Sequence, residues 1–355
     1  MNEPSLARRT LVITAVALAT VATAVVLWMS IPVLLVGFAA ILYAILLSGL
    51  ARLLSDHTPL PYPLCLAGGL VATSGFLIGA GFLLGPRVAV ELDRLVELAP
   101  DAIDRIRGTL DDYGWGRAVL DQAPSADSVK LAPSGVLGEA AGVFSTAASI
   151  VTNALVVLIV GLYMAFSPGR YVEIPVRLLP PSKRARGREV LLTLGLVLRR
   201  WLVGRAASMA VVGVLTWIGL TVLGVRLSLV LAVLAAVLSF VPNLGPVLSV
   251  IPAMLLGLLD SPAMAGYVAL LYLGVQLFES YLITPLIEQR AVSLPPALLI
   301  MAQLLFGVLL GVPGLIIATP LVVVGVVLVQ MLYLQDVLGD PIEVVGASPQ
   351  DGAGE

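Results

Sequence analysis

The sequence predicts an all-α, polytopic integral membrane protein with about eight transmembrane helices. Of the 355 residues, 59% are apolar and only 12% are charged, about half the charge of an ordinary soluble domain. Apolar runs of about 20 residues, the length that crosses a bilayer, recur along the chain. Proline and glycine interrupt the longest runs, which is typical of broken or re-entrant segments.

Three apolar runs, at 11–29, 31–50 and 62–86, predict an N-terminal unit of three spans over residues 1–86. The first run follows two arginines and continues directly into the second, which favours an uncleaved helix over a signal peptide. Residues 145–335 form a predicted transmembrane core. Its regular spans lie at 145–166, 206–224 and 263–285, and its Pro/Gly-broken runs lie at 227–259 and 294–334. Either broken run could supply the re-entrant hairpin that gives eight crossings.

Two polar stretches separate the apolar runs. Residues 87–144 include an amphipathic pattern, with apolar residues at steps of three and four from Leu92 to Tyr113, and predict an extracytoplasmic helical insertion. Residues 167–205 form a basic stretch with 9 Lys and Arg against 2 Asp and Glu. Within it, Arg199, Arg200 and Trp201 are expected to anchor an interfacial helix at the lipid headgroups. An acidic C-terminal tail at 336–355 follows the core.

The charge distribution predicts the orientation. Residues 87–139 carry 6 Lys and Arg against 10 Asp and Glu, so the basic stretch 167–205 is the better candidate for the cytoplasmic side by the positive-inside rule. An even number of crossings then places both termini in the cytoplasm. We expect a multi-pass protein of the bacterial inner membrane.

Composition excludes several other classes. The net charge of −2 gives no basic field for nucleic acid, and a single Cys and a single His cannot form a disulfide or a zinc cluster. No nucleotide-binding loop, dinucleotide fingerprint or nucleophile elbow occurs. We therefore expect no enzyme activity, no metal and no cofactor. The lipid bilayer is the expected partner, and Gly-x-x-x-Gly spacings leave room for a homo-oligomer.

The clearest candidate site is the break at 242–246. Pro242 and Pro246 flank Asn243 and Gly245 within an apolar run, and two prolines four residues apart should end a helix. Backbone groups freed in this way at membrane depth can bind a polar solute or an ion. A tight turn outside the membrane and a structural kink are the alternatives.

The second candidate is the carboxylate of Glu279, which lies inside a predicted span. It shares one helical face with Gln276, Ser280 and Thr284, and Pro285 follows. Proton or cation coupling would use the tendency of burial to disfavour the charged form of a carboxylate. The alternative is that Glu279 reaches the interface or pairs with a structural partner. Gln303 is a weaker candidate.

Several motifs in residues 145–335 resemble the autoinducer-2 exporter family of bacterial multi-pass membrane transporters. In order, they are Arg-Leu-Leu-Pro-Pro at 177–181, Trp-Leu-Val-Gly at 201–204, Gly-Val-Leu-Thr at 213–216, Leu-Ser-Phe-Val-Pro-Asn-Leu-Gly-Pro at 238–246, Ile-Pro-Ala at 251–253, Glu-Ser-Tyr-Leu-Ile-Thr-Pro-Leu-Ile at 279–287, the glycine-bounded segment 307–314, and Thr-Pro-Leu at 319–321. The sequence departs from the family pattern at Arg205, where Gln is expected, and at Ser280, where Asn is expected.

The resemblance implies a secondary transporter that exports a small hydrophilic solute similar to autoinducer-2, by alternating access around a broken helix. A Na⁺(Li⁺)/H⁺ antiporter on the same fold is one alternative, with a monovalent cation or a proton as cargo. A membrane scaffold without transport activity is another.

Overall fold

The computed structural model describes residues 6–75, 79, 152–283, 285 and 295–341, and in these ranges all regular structure is helical. This confirms the predicted all-α class. The predicted insertion at 87–144 and residues 342–355 of the acidic tail lie outside the described residues.

The first helix, α1, spans Leu6–His57 and joins the first two predicted spans without a break. Pro32 lies inside it, and no glycine or turn motif accompanies that proline to end the helix. Its 52 residues extend over about 78 Å at 1.5 Å per residue, more than twice the thickness of a bilayer core. The division of residues 1–86 into three crossings stays a prediction.

Helix α2 begins at residue 62 and is described to residue 75. It packs with α1 and with α3, Thr152–Phe166, around a core of small side chains. The hydroxyl of Tyr62 donates a hydrogen bond to the carbonyl of Ala165 (2.9 Å), which fixes the start of α2 against the end of α3. Helix α4, Pro168–Arg177, then leaves α3 at an angle of 88°.

Helix α5 spans Arg184–Val222, and a short 3-10 turn at Pro181–Lys183 precedes it. The basic stretch is thus helical, and the second half of it already belongs to the longest helix of the core. Trp201 was expected at the lipid headgroups. It is instead buried and packs edge-to-face on Phe240, with ring centroids 5.8 Å apart, because the apolar neighbours on the same helix face the protein interior.

The first Pro/Gly-broken run forms two helices, α6 at Ser228–Leu238 and α7 at Leu244–Asp260. The predicted end of a helix at Pro242 is confirmed. Helix α8, Pro262–Phe278, begins at Ser261, whose side chain accepts a hydrogen bond from the Met264 amide (3.1 Å). A π-helical turn, Glu279–Ile283, continues α8.

The second broken run forms α9, Pro296–Leu328, which a π-helical turn, Val329–Gln335, extends. Gly311 has φ 67° and ψ −151°, a conformation that is essentially restricted to glycine. Beyond it, Gly314 lies directly against the carbonyl of Phe306, although residues eight apart in a straight helix are about 12 Å apart. The chain therefore reverses direction at Gly311, and α9 is a hairpin of two segments.

Four helical stretches in the described part of the chain are long and apolar enough to cross a membrane: Thr14–His57, Pro181–Val222, Pro262–Ile283 and Pro296–Gln335. The bent pair α3 and α4 raises the number to five if it counts as one span. The expected number of about eight crossings remains a prediction, since several predicted spans, including 62–86 and 145–166, lie partly outside the described residues.

The two halves of α5 belong to two different hydrophobic cores. Its first half packs with α1 and α9 through Val197, Leu198 and Val327. Its second half packs with α6, α7 and α8 through Leu220, Ala253 and Val268.

Candidate functional site

The turn between α6 and α7, residues 239–243, is the breakpoint that the sequence predicted. Asn243 takes φ 66°, a left-handed value that Asn tolerates better than most residues. Gly245 then lies against the carbonyl of Leu238, so that a Cβ atom here would overlap backbone. The chain reverses tightly because Gly245 allows this approach.

A buried ion pair lies beside this turn. The Arg205 guanidinium, on α5, is 3.3 Å from a carboxylate oxygen of Glu279, the first residue of the π turn after α8. The exposed fractions of the two side chains are 13% and 6%. Ser208, one turn after Arg205, donates a further hydrogen bond to the same oxygen. The charge that the sequence placed at membrane depth is therefore compensated within the protein.

The same guanidinium also contacts the turn itself. Arg205 Nε donates to the carbonyl of Phe240 (3.2 Å), and Gln303 Nε2, from α9, donates to the carbonyl of Pro242 (2.9 Å). Helix breakage removes the usual intrahelical donors of such carbonyls, and a buried unpaired carbonyl is costly. The Pro242 carbonyl also accepts from the Leu244 amide (2.8 Å). Side chains from two other helices thus help to satisfy the broken backbone, and Arg205 connects it to the ion pair.

Two buried hydroxyls without a hydrogen-bond partner lie on the same pair of helices. Thr216 of α5 and Tyr272 of α8 are both inaccessible, and neither side-chain oxygen has a partner among the described residues. Both lie between the Arg205–Glu279 pair and the contact of Gly219 with Leu271, so they extend polar character along the α5–α8 contact. Unpaired buried hydroxyls are unusual.

The structure brings together only part of the predicted site. Glu279 contacts the Arg205 side chain directly. Pro242 lies in the turn that Arg205 caps, and Gly245 follows that turn. Gln276 and Ser280 do not join them. The Gln276 side chain instead donates to the Ser280 hydroxyl (3.2 Å) at the exposed surface.

The remaining predicted residues lie elsewhere. The side chain of Asn243 is exposed and does not cap α7. Pro246 is half-buried in the first turn of α7, Pro285 is exposed, and Thr284 lies outside the described residues. Among the residues that the structure describes, no three His, Cys, Asp or Glu side chains group as metal ligands would.

Sequence reasoning missed Arg205 and Ser208. Arg205 was counted with the basic stretch, although its spacing from Ser208 and Thr216 places polar groups on one face of the helix. The departure from the family pattern at Arg205 was the available signal.

Comparison with known families decides the class of the protein. Residues 17–333 match the family model described as AI-2E family transporter. The chain belongs to the AI-2E transporter family. This membership confirms the resemblance and makes the chain a multi-pass membrane protein of a transporter family.

Individual relatives of this AI-2E family member also have names that describe transport proteins. YueF of Bacillus subtilis (strain 168) is 24% identical over 258 residues, covering 69% of this chain and 70% of YueF. MT0215 of Mycobacterium tuberculosis (strain CDC 1551 / Oshkosh) is 29% identical over 287 residues, covering 75% and 74%. Both are provisionally named as transport proteins. The AI-2 transport protein TqsA of Escherichia coli (strain K12) is 30% identical over 128 residues, covering 35% and 36%.

Proposed function

We propose that this AI-2E family member is a secondary transporter that exports a small hydrophilic solute by alternating access. The solute path follows the polar surface between α5 and α8 and the turn at 239–243. The observation that carries the proposal is the buried Arg205–Glu279 pair, which shares its guanidinium with a carbonyl of the broken helix. Ionisable residues and broken helices at membrane depth both mark transport pathways.

The solute is of the autoinducer-2 type. The name of TqsA supports this choice, and the hydroxyls of Thr216 and Tyr272 offer hydrogen bonds to a polyhydroxylated molecule. Because the sequence has no nucleotide-binding loop, an ion gradient or the solute gradient itself supplies the energy. The basic stretch 167–205 and both termini face the cytoplasm in this proposal.

The ion pair argues against the antiporter alternative. A carboxylate that exchanges protons with a cation must be free to change its charge during the cycle. Glu279 is held by a guanidinium and a hydroxyl, and loss of its charge would leave Arg205 buried without a counter-ion, which is strongly unfavourable. We therefore assign Glu279 to solute binding and closure of the path.

Flux measurements in proteoliposomes test the proposal. The wild-type protein should release preloaded autoinducer-2 faster than empty liposomes, with and without imposed pH and sodium gradients. Glu279→Gln and Arg205→Gln should each reduce the rate at least about tenfold, since each leaves a buried charge unpaired. Arg226→Gln, which removes an exposed arginine at the far end of α5, is the matched control and should leave the rate unchanged.

A double variant separates transport from folding. Replacing both partners of a buried ion pair is often neutral for stability, so Arg205→Gln/Glu279→Gln should recover the stability lost in the single variants. Its flux should stay low, because the charged closure of the path is gone. Wild-type flux in the double variant would contradict the proposal. A sodium-driven proton flux in the absence of solute would favour the antiporter, and no flux of any kind would favour a scaffold.

A further inference from the structure

Helix α4 presents three different faces. Val176 is buried against the rest of the protein, whereas Ile174 and Leu178 have exposed fractions of 56% and 84%. At 100° per residue, these two and Tyr171 share one arc, and Arg170 and Arg177 fall on the adjacent arc. One helix thus carries a packed face, an exposed apolar face and a cationic edge.

The start of α5 adds to the cationic edge. The Arg184 guanidinium donates to the carbonyls of Leu179 (3.1 Å) and Arg177 (3.3 Å), which holds this turn beside the end of α4. Arg188 reaches Glu173 of α4 at 4.0 Å. In this neighbourhood, Arg170 and Lys183 are exposed and form no ion pair with any other described residue. Their charges are therefore available to an external anion.

The orientation of α4 suits a membrane surface. It runs at 88° to the apolar helix α3, so with α3 along the membrane normal α4 extends approximately along the membrane plane. An interfacial helix buries its apolar face at the boundary of the acyl chains and holds Lys and Arg at the headgroups. The exposed apolar arc and the adjacent cations of α4 have this arrangement.

The geometry points to a binding surface for anionic phospholipid, formed by α4 and the segment that leads from it through the 3-10 turn to α5. We define this α4 surface by Arg170, Tyr171, Ile174, Leu178 and Lys183. The acyl chains cover the three apolar side chains, and the phosphate of the headgroup pairs with Arg170 and Lys183. Charge complementarity selects anionic over zwitterionic lipid, since each exposed cation attracts an anionic bilayer independently of the solute path.

Lipid selection measured on the full-length protein tests the inference. The protein is reconstituted in nanodiscs with equal amounts of phosphatidylglycerol and phosphatidylcholine, and the retained lipid is counted by native mass spectrometry. Arg170→Gln and Lys183→Gln should each lower the preference for phosphatidylglycerol about fivefold. Arg226→Gln removes an exposed arginine just beyond the other end of α5 and should leave the preference unchanged. An unchanged preference in the Arg170 and Lys183 variants would overturn the inference.

A depth measurement uses the intact cationic edge. The only cysteine of the chain, Cys65, is buried, so a spin label attaches selectively to Ile174→Cys. Its accessibility to oxygen and to a soluble nickel complex should place it at headgroup depth. A label in bulk water would overturn the inference and leave the α4 surface to a soluble partner. The depth of the label tests the inference even if the charge variants fail to fold.

Discussion

The Arg205 side chain has two roles in the apolar interior. It compensates the charge of Glu279, and it donates to the Phe240 carbonyl that the helix break leaves free. Burying two charges costs several kcal/mol per ion, a cost of roughly 5 kcal/mol or more that only good geometry and further hydrogen bonds repay. Ser208 provides one of these further bonds.

The importance of Glu279 could be predicted from the sequence, whereas its partner could not. A lone carboxylate within an apolar run is unusual in any membrane protein. Arg205 is separated from it by 74 residues, and its position at the end of a basic stretch made a topological role the natural interpretation. Only the packing of α5 on α8 identifies the pair, and hydropathy contains no information about that packing.

Gln303 provides a prediction at the residue scale. Gln303→Met keeps the volume and removes the side-chain donor to the Pro242 carbonyl, which then accepts only from the Leu244 amide. We expect a loss of about 1 kcal/mol in the free energy of unfolding, measured by titration with dodecyl sulfate in mixed micelles. Gln276→Met removes the same side chain where its partner Ser280 is exposed and should cost less than about 0.5 kcal/mol. Equal losses in the two variants would refute the capping role of Gln303.

At the scale of elements, the two Pro/Gly-broken runs form hairpins of the same type. In each, a glycine after the turn contacts a carbonyl in the last residues of the preceding segment: Gly245 contacts Leu238 and Gly314 contacts Phe306. The breaks could be predicted because proline and glycine act on the local backbone. The reversal of direction depends on what each segment packs against, so a kink, a turn and a hairpin were equally compatible with the sequence.

Alanine substitutions test the hairpin glycines. A Cβ atom at Gly245 or Gly314 would overlap backbone atoms, which cannot move as a flexible side chain can. Gly245→Ala and Gly314→Ala should each destabilise the protein by about 1–3 kcal/mol or more, seen as a lower melting temperature in a fixed nanodisc. Gly266→Ala, in the open middle of α8, should instead be neutral or stabilise by up to about 1 kcal/mol. A neutral result at both hairpin glycines would contradict the close approach.

At the scale of the whole molecule, α5 connects two cores that otherwise share few residues. Its first half belongs to the α1 and α9 core and its second half to the α6, α7 and α8 core. Composition predicted the membrane class, because low charge is a global property. It did not predict which helices pack together, since lipid-facing and protein-facing surfaces are equally apolar. Trp201 illustrates this, because an aromatic residue after two arginines suggested a headgroup anchor and is a core residue.

Arg186, in the first turn of α5, joins the start of α5 to the π-helical turn that extends α9. Its guanidinium donates to the Met331 carbonyl (2.9 Å) and to the side chain of Gln335 (2.8 Å), and it pairs with Asp336 at 2.9 Å. Arg186→Gln should therefore lower the free energy of unfolding by about 1–2 kcal/mol. Part of the effect should disappear at high salt, because the pair is partly exposed.

The same unfolding titration provides the comparison for Arg186. Arg226 pairs with Asp260 only at 3.8 Å, and its side chain is 82% exposed, so Arg226→Gln should change stability by less than about 0.5 kcal/mol. A loss of the same size in both variants would indicate a general effect of charge instead of a specific join between α5 and α9.

The capped turn at 239–243 also limits how tightly a solute can be retained. The carbonyls of Phe240 and Pro242 already accept hydrogen bonds from Arg205 and Gln303, which belong to separate helices. A solute that hydrogen-bonds there must compete with the protein for the same acceptors, and its net gain is only the difference between two similar bonds. Such a competition favours low affinity and rapid dissociation. For the export proposed above, a short residence time would be an advantage, because slow release of the solute would then not limit turnover.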